Sequence, residues 1–400
     1  MRTTPAEKIR DYRARGWWGD TRIHDMFDAN ARANPDRLAI VDAPNRADLV
    51  GTPPQRLSFA AAAALVDGYA LSLARLGLGK DDVLVTQLPN IAEYPALYVA
   101  AMRLGIIVSP VPMQFRRHEL EQIVRLTNAK AILTIDQLKG VDQIGIALTL
   151  SADLSKEALT LQVLSLRSAT ATTETPPGAI AFDAAAIDAQ SIAELRSAID
   201  TAAVDADDIA TICWTSGTEG TPKGVPRSHN HWYAISFAHL RGAGIQPGEV
   251  LLNPFPLINM AAIGGCFMSW MHNGGTLVLH HPLDLPTYLK QIAIERPQYA
   301  IAPPALLNML LKNEALLATV DLSSLRCIGS GSAPLDPEMI AGYRDRFGIE
   351  ICNNFGSNEG VSLISNAENA SDPVHRARWF PRFGRDEIQW PSPPPVHIRT

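Results

Sequence analysis

An alternation of short apolar runs with stretches of helical periodicity constrains the fold of this 400-residue chain more than any other feature. In the first half, "DDVLVTQLP", "IIVSPV" and "KAILTI" are typical of buried strands, and helical patterns such as "RHELEQIVRLTNA" lie between them. Strands that alternate with helices form parallel sheets that are covered by helices on both faces. Because the alternation restarts after about residue 206, the sequence predicts an α/β protein with two doubly wound αβα subdomains.

A stretch between the two halves, roughly residues 165–205, contains many Ala and Thr and few large apolar residues, which is typical of a linker. We therefore expect a first α/β subdomain with this linker over residues 1–205 and a second α/β subdomain over residues 206–365. The tail that follows is rich in proline and aromatics, and "VHIR" near its end is typical of the start of a strand.

Charge and cysteine usage exclude several classes of protein. A formal charge of -6 argues against a nucleic-acid partner, since phosphate neutralisation needs a basic face. The four cysteines are scattered without metal-ligand spacing, which predicts reduced thiols. The N-terminus "MRTTPAEKIRDYRARGWW" lacks the apolar core of a signal peptide, so a cytoplasmic location is expected. The most apolar long stretch, residues 260–279, is interrupted by polar residues and glycines and predicts no transmembrane segment.

A loop rich in glycine and hydroxyl groups, "TSGTEGTPKGV" at residues 215–225, follows the apolar run "DIATIC". Such a turn between a strand and a helix presents backbone N–H groups and a lysine to phosphate oxygens. It does not match G-x-x-x-x-G-K-[ST], because Pro222 holds the sixth position from Gly217 and Gly224 follows Lys223. The loop therefore disfavours a P-loop NTPase, while a flexible surface turn remains the alternative to a phosphate cradle.

Four motifs, in order along the chain, carry a resemblance to a known family. "TSGTEGTPKGV" resembles the phosphate-binding signature of the adenylate-forming superfamily, which includes acyl- and aryl-CoA ligases, peptide-synthetase adenylation domains and luciferases. "NPFPLINMAAIGG" is similar to its acid-pocket segment, "GSGSAPL" to its adenine-side turn and "NNFGSNEG" to its aromatic-glycine-x-threonine-glutamate element. The N-terminal "DYRARGWWGD" resembles the branch that contains dihydroxybenzoate-adenylating enzymes. The resemblance covers essentially the whole chain.

The resemblance implies an acid-thiol ligase that uses ATP, Mg²⁺ and CoA. Such an enzyme joins a small carboxylic acid to the α-phosphate of ATP, releases pyrophosphate and transfers the acyl group to CoA. Two other readings stay open: delivery of an aryl group to a carrier-protein thiol, and a non-catalytic module that binds nucleotide or acyl-adenylate. The acid is either aromatic or a bulky or long acyl group, and a homodimer is left open as the assembly.

The resemblance also implies roles for particular residues. The catalytic residues would be Lys223, Asn358 and Glu359, of which Glu359 would also hold Mg²⁺. The residues expected to bind the nucleotide are Thr215, Ser216, Gly217, Thr218, Gly220, Thr221, Lys223, Gly331, Ser332, Ala333, Asn354, Phe355 and Gly356. The residues expected to form the acid pocket are Asn259, Met260, Ala262, Gly264 and Gly331.

Two asparagines depart from the family pattern. Asn358 stands where the family usually has a threonine that contacts the α-phosphate, and an amide N–H can still donate there. Asn259 stands where many CoA ligases carry a histidine, and it either contacts the acid or caps the next helix. The small residues that follow, from Ala261 to Gly265, favour a bulky or long acyl group, whereas the N-terminal resemblance favours an aryl acid.

The family continues beyond its large lobe with a T-G-D motif, a hinge and a small lobe that carries a lysine, and no such residues follow "VHIRT". We therefore expect residues 366–400 to begin a small β-rich subdomain, with the C-terminal lobe of the family absent. The second subdomain, residues 206–365, would hold the ATP and acid site. This chain alone is expected to bind nucleotide and acid but to turn over poorly.

Overall fold

Two mostly parallel sheets organise the chain in the computed structural model, which describes residues 1–166, 174–215, 222–360 and 362–381. The strands are β1 Leu38–Val41, β2 Arg56–Ser58, β3 Val83–Gln87, β4 Ile107–Pro110, β5 Ala131–Ile135, β6 Gln137–Leu138, β7 Val141–Asp142, β8 Gln162–Leu166, β9 Ile180–Ala181, β10 Ile209–Thr215, β11 Lys223–Ser228, β12 Val250–Asn253, β13 Thr276–Leu279, β14 Tyr299–Ile301, β15 Cys327–Gly331, β16 Glu350–Gly356 and β17 Ser362–Ser365.

Helices lie between most of the strands, as the alternation predicts. They are α1 Ala6–Ala14, α2 Ile23–Ala33, α3 Arg46–Val50, α4 Phe59–Arg75, α5 Glu93–Arg103, α6 Arg117–Thr127, α7 Gln143–Ser155, α8 Ala189–Ala202, α9 His229–Gly242, α10 Met260–Ala262, α11 Ser269–Asn273, α12 Leu285–Glu295, α13 Pro304–Lys312, α14 Glu314–Leu317, α15 Pro337–Phe347 and α16 Pro373–Arg378. A π-helical segment, Ile263–Met268, joins α10 to α11.

The seven-stranded sheet has the order β11-β10-β4-β3-β5-β8-β9, and the eight-stranded sheet has the order β17-β16-β15-β14-β12-β13-β1-β2. Strands β3, β4 and β5 are buried along their whole length, because helices cover both faces of the sheet and every side chain must be apolar or hydrogen-bonded. The prediction of an α/β fold with doubly wound sheets is confirmed.

Each sheet takes strands from both halves of the chain. Strand β1 pairs in parallel with β13 of the eight-stranded sheet, and β10 pairs in parallel with β4 of the seven-stranded sheet. The expected linker contains helix α8, whose Leu195 is buried, and its residues 167–173 lie outside the described residues. The subdomain boundaries at residues 205 and 365 stay a prediction, and most of the expected β-rich segment, residues 382–400, is likewise not described.

In the described ranges, none of the helices is both long enough and apolar enough to span a bilayer.

Candidate active site

A crevice opens at the carboxyl ends of the neighbouring parallel strands β15 and β16, where ligands bind in open α/β sheets. Its walls come from the segments after these strands, from α9 and from the start of the α10 region. Five of the residues predicted to bind nucleotide line it: Gly331, Ser332, Asn354, Phe355 and Gly356. Ala333 is exposed and is not among the lining residues that the structure describes.

Gly331 and Asn354 lie opposite each other in the β15–β16 ladder at the crevice. A Cβ atom on residue 331 would lie 1.9 Å from the carbonyl oxygen of Asn354, which is closer than any real contact. Glycine is therefore required at this position, because a side chain would force the ends of the two strands apart.

Phe355 follows Asn354 in β16, and its ring is 54% exposed. It contacts the ring of Phe380, with centroids 5.9 Å apart. A large apolar ring left this open in a crevice offers a stacking surface, which agrees with its expected contact with a planar base. Successive side chains of a strand point to opposite faces, so Phe355 and Asn354 serve different parts of the crevice.

The predicted phosphate loop connects two strands. Thr215, at the end of β10, pairs with Lys223, at the start of the antiparallel strand β11. The expectation of a turn that leads directly into a helix was wrong, since α9 begins only at His229. Glycine and proline in β11 argue against a strand in the sequence. The structure nevertheless forms one, because β11 lies at the sheet edge, where a proline is tolerated. Five other loop residues assigned to the nucleotide lie outside the described residues: Ser216, Gly217, Thr218, Gly220 and Thr221.

Asn358 bridges the phosphate-loop strand and the acid-pocket helix. Its Nδ2 donates to the carbonyl oxygen of Trp214 at 3.1 Å, and its Oδ1 accepts from the N–H of Met260 at 3.0 Å. One N–H of the amide remains to donate elsewhere, because Asn carries two such donors. The residue after it, Glu359, is exposed.

Arg227 of β11 is a further residue of this site, and sequence reasoning missed it. Its guanidinium holds the segment that contains Ser357 and Asn358. Its Nη2 donates to the carbonyl oxygen of Asn358 at 2.6 Å and to that of Ser357 at 3.3 Å. The guanidinium is buried and lies 5.3 Å from the centre of the Trp232 ring. Burial lowers the pKa of Arg227, while attraction to Glu359 acts in the opposite direction. A buried positive charge therefore lies under the segment that carries Asn358 and Glu359. The signal available in the sequence was an arginine two residues after the phosphate-binding motif.

The acid-pocket residues divide between the crevice and the helix. Met260 and Gly331 line the crevice, together with Ala261 of α10 and Gly265 of the π-helical segment. Three residues expected in the pocket, Asn259, Ala262 and Gly264, are not among the described lining residues. Asn259 caps α10, with its Oδ1 accepting from the N–H of Ala262 at 3.3 Å, which is the second of the two roles considered for it. Contact of these three with the acid stays a prediction.

A polar cluster at the floor of the crevice also escaped sequence reasoning. His239 of α9 has its Nε2 2.5 Å from the hydroxyl of Tyr299 on β14. Burial lowers the pKa of His239 to about 4, so the imidazole is neutral at pH 7. Asn354 Oδ1 is buried and has no hydrogen-bond partner among the described residues. We name His239, Tyr299 and Asn354 the polar floor.

The described residues contain no group of three or more His, Cys, Asp or Glu side chains that could hold a metal ion by themselves. A hard cation bound by protein here would therefore depend on ligand oxygens together with few carboxylates. The exposed carboxylate of Glu359 fits that arrangement.

Three curated relatives resemble this chain at about a quarter identity. The chain is 25% identical over 395 residues to a 2-hydroxy-7-methoxy-5-methyl-1-naphthoate–CoA ligase of Streptomyces carzinostaticus, covering 97% of this chain and 67% of the relative. It is 27% identical to the medium-chain fatty-acid–CoA ligase of Escherichia coli, covering 91% and 60%. It is 25% identical to the vibriobactin-specific 2,3-dihydroxybenzoate-AMP ligase of Vibrio cholerae, covering 96% and 66%. The chain thus spans about two thirds of these relatives or less.

Solved structures agree on the fold. The apo structure of Mycobacterium smegmatis MbtA superimposes with a TM-score of 0.73 at 22% identity, covering 94% of this chain and 63% of that one. The AMP-binding enzyme family matches residues 27–385, which include the crevice and all four motifs. On this match, the chain belongs to the AMP-binding enzyme family.

Proposed function

We propose that this chain forms the nucleotide- and acid-binding lobe of an ATP-dependent carboxylate ligase. The reaction would form an acyl-adenylate and pyrophosphate, and then a thioester with CoA. The observation that carries the proposal is the Asn358 bridge, which joins the strand before the phosphate loop to the helix beside the acid pocket. One side chain thereby connects the two segments that would hold the phosphate chain and the carboxylate.

The chemistry requires two anions to approach each other. A carboxylate oxygen attacks the α-phosphorus of ATP while the bond to the pyrophosphate oxygen breaks, so positioning and charge neutralisation carry most of the catalysis. Lys223 is exposed at the start of β11, and its positive charge would neutralise the departing pyrophosphate. The second N–H of Asn358 would donate to an α-phosphate oxygen. The buried charge of Arg227 would favour anions at the same turn.

The other assignments follow the shape of the crevice. Adenine would stack on the exposed ring of Phe355, with the backbone at Gly331 close to its edge. The acid would lie deeper, between Met260, Ala261 and Gly265. Mg²⁺ bound with ATP would screen the phosphate charges, with Glu359 as its protein ligand. The cytoplasmic location and a homodimer remain part of the proposal.

A second candidate keeps the first step and delivers the acyl group to a carrier-protein thiol. The likeness to a dihydroxybenzoate-AMP ligase favours it, because that name specifies an adenylate and no CoA. A non-catalytic binding module is the third candidate. Acid-dependent exchange of labelled pyrophosphate into ATP separates the enzymes from the module, since a module exchanges nothing with any acid.

The direct test is calorimetric binding of ATP with Mg²⁺ to the parent and to Lys223→Ala. We expect the variant to bind about 10-fold more weakly, since a charge-assisted contact to phosphate is lost. Lys312→Ala, a substitution at the end of α13 outside the crevice, is the control and should bind like the parent. Equal binding by parent and Lys223→Ala would remove Lys223 from the proposed phosphate site.

A further inference from the structure

The segment between β12 and α10, residues 254–259, belongs neither to a sheet nor to a helix. Its sequence is "PFPLIN", and its two prolines carry no N–H. The segment contributes Phe255 to the crevice and leads directly into Met260 and Ala261, beside which the acid is proposed to bind. Because the segment is buried or half-buried, its backbone polar groups need partners, and the residues that supply those partners also determine its course.

Asn90, which lies in the loop after β3, supplies two of these partners. Its Nδ2 donates to the carbonyl oxygen of Phe255 at 2.8 Å, and its Oδ1 accepts from the N–H of Leu257 at 3.0 Å. The same Nδ2 donates to the carbonyl oxygen of His280 at 3.1 Å. The side chain is buried, and an asparagine amide has two N–H donors and one oxygen, so each of them is used. A rotation of this amide would break all three bonds.

Tyr98 of α5 holds the same segment at its other polar group. Its hydroxyl donates to the carbonyl oxygen of Leu257 at 2.7 Å. Burial raises the pKa of Tyr98 well above its usual range, so the phenol keeps the proton that it donates. The ring of Tyr98 also lies 5.2 Å from the ring of Phe267 in the π-helical segment. Both backbone polar groups of Leu257 are therefore bound by side chains from the first half of the chain.

The loop after β3 lies across the carboxyl ends of three strands of the eight-stranded sheet. Asn90 contacts the residues that follow β12 and β13. Asp42, directly after β1, accepts from the N–H of Ala92 at 2.7 Å through its Oδ1. The strands β12, β13 and β1 are neighbours in that sheet, whereas β3 belongs to the seven-stranded sheet. The loop thus connects the two sheets at the point where the acid-pocket segment begins.

We propose that Asn90, together with Tyr98, is a positioning residue for the acid: the two side chains hold residues 254–259 so that Met260 and Ala261 lie at the crevice. This inference rests on the proposed function and extends its machinery to the first half of the chain. The described residues that line the crevice all belong to the second half, from Ile235 onward. Asn90 and Tyr98 would therefore act on the acid through the backbone of Phe255 and Leu257, without touching the ligand.

The test compares two kinds of adenosine compound that need no turnover. Benzoyl-, hydroxybenzoyl- and octanoyl-sulfamoyl-adenosine mimic the adenylate, and sulfamoyl-adenosine lacks the acyl group. The ratio of their affinities, which we call the acyl gain, measures what the acyl group contributes to binding. For the acyl compound that binds the parent best, calorimetry should show an acyl gain about 10-fold smaller in Asn90→Ala, because the pocket loses its fixed position. Binding of ATP with Mg²⁺ should stay like that of the parent.

Asn273 makes the same three kinds of bond at the opposite, amino ends of β12 and β13, and therefore offers a matched control. Its Nδ2 donates to the carbonyl oxygens of Gln246 at 3.3 Å and Glu249 at 3.0 Å, and its Oδ1 accepts from the N–H of Gly275 at 2.9 Å. None of these four residues is among the described lining residues of the crevice. We expect Asn273→Ala to lower the midpoint of urea unfolding much as Asn90→Ala does, and to keep the acyl gain of the parent.

A second pair of variants carries the test if Asn90→Ala fails to fold. Tyr98→Phe removes one hydroxyl and its bond to Leu257, and should reduce the acyl gain about 3-fold. Tyr343→Phe is the control, since it removes a bond of the same kind, 3.1 Å long, to the carbonyl oxygen of Leu307 between α15 and α13. Neither Tyr343 nor Leu307 is among the described lining residues, so this variant should keep the acyl gain.

The outcomes separate the inference from the proposed function. If ATP and a mimic bind the parent, an unchanged acyl gain in Asn90→Ala, or an equal fall in Asn90→Ala and Asn273→Ala, overturns the inference while the proposed function stands. An unchanged acyl gain in Tyr98→Phe has the same meaning if Asn90→Ala does not fold. An acyl gain of about one in the parent also overturns the inference, because no acyl contact would need positioning. If neither ATP nor any mimic binds the parent, the proposed function fails and the inference fails with it.

Discussion

The side chain of Asn358 is hydrogen-bonded to the carbonyl oxygen of Trp214, 144 residues earlier in the chain, at 3.1 Å. Trp214 precedes the last residue of β10, so the bond anchors the segment that carries Glu359 to the strand that leads into the phosphate loop. Through its Oδ1 the same side chain accepts from Met260 at the acid pocket. One amide therefore links three segments around the crevice.

Replacement of Asn358 tests this alignment. Asn358→Leu breaks both hydrogen bonds and leaves a carbonyl and an N–H without partners, so we expect the free energy of unfolding to fall by about 1–3 kcal/mol. ATP binding should weaken about 10-fold, since the segments around the phosphate chain lose their alignment. Urea unfolding and calorimetry measure the two effects. Unchanged ATP binding together with lowered stability would restrict Asn358 to a structural role.

Replacement of Gly331 tests the approach of β15 to β16. In Gly331→Ala the new methyl would lie 1.9 Å from the carbonyl oxygen of Asn354, so the strand ends must separate. We expect the free energy of unfolding to fall by about 2 kcal/mol or more, in the range of overpacking substitutions. Gly79→Ala is the matched control, since nothing lies within 4 Å of its new methyl. Urea unfolding that gives equal stabilities for the two variants contradicts the geometry at Gly331.

Replacement of Arg227 separates charge from hydrogen bonding. Arg227→Lys keeps a positive charge but cannot donate to the carbonyl oxygens of Ser357 and Asn358 with one planar group. Arg227→Met removes both the positive charge and the hydrogen-bond donors. We expect each variant to lose about 1–3 kcal/mol of stability, because buried carbonyls lose donors. ATP affinity should fall more in the methionine variant, and titrations with ATP at two salt concentrations measure the difference. If both variants bind ATP alike, the buried charge does not act on the nucleotide.

We expect the stability of the folded chain to fall in acid because of the buried His229. This side chain is buried, and its Nδ1 accepts from the N–H of Ile23 at 3.2 Å. Burial lowers its pKa to about 4, so the unfolded chain, with a histidine pKa near 6.5, binds a proton that the folded chain does not. The stability from neutral His229 is therefore complete above pH 6.5 and is lost as the pH falls toward 4.

Comparison of the parent with His229→Gln isolates this contribution. Between pH 7 and pH 5, His229 should remove about 2 kcal/mol from the free energy of unfolding of the parent. Glutamine does not titrate, so the variant should lose about that much less over the same interval, whatever its stability at pH 7. Urea unfolding at both pH values gives the two differences, and equal differences would show that folding does not lower the pKa of His229.

The sequence predicted those parts of the fold and of the crevice that local patterns specify. Strands β3 and β5 are short, mostly apolar runs that are buried along their whole length, and the positions of Gly331, Phe355 and Met260 at the crevice were anticipated because each belongs to a quoted motif. Strand β11 was missed, because Gly224 and Pro226 are unfavourable in most strands and only its place at the sheet edge makes them acceptable.

Contacts between distant segments could not be predicted in the same way. His239 has the pattern of an ordinary residue on a helix, and nothing local indicates that Tyr299, 60 residues later, will hydrogen-bond it. The sequence left Asn259 with two roles, contact with the acid or capping of the next helix, and only the structure shows that it accepts from the N–H of Ala262. The pairing of β1 with β13 likewise arises from the assembly of the whole eight-stranded sheet. Such relationships depend on three-dimensional packing, which one sequence leaves unspecified.

Calorimetric binding of acyl-sulfamoyl-adenosines to the parent and to Phe355→Ala tests the central claim most directly, because the compounds unite both halves of the proposed ligand. We expect at least one compound to bind the parent and to bind Phe355→Ala about 10-fold or more weakly, since the exposed ring would lose its stacking contact. Leu126→Ala, a similar loss of an exposed apolar side chain on α6, should bind like the parent. Binding that is absent in the parent, or equal in parent and Phe355→Ala, would contradict an adenylate site in this crevice.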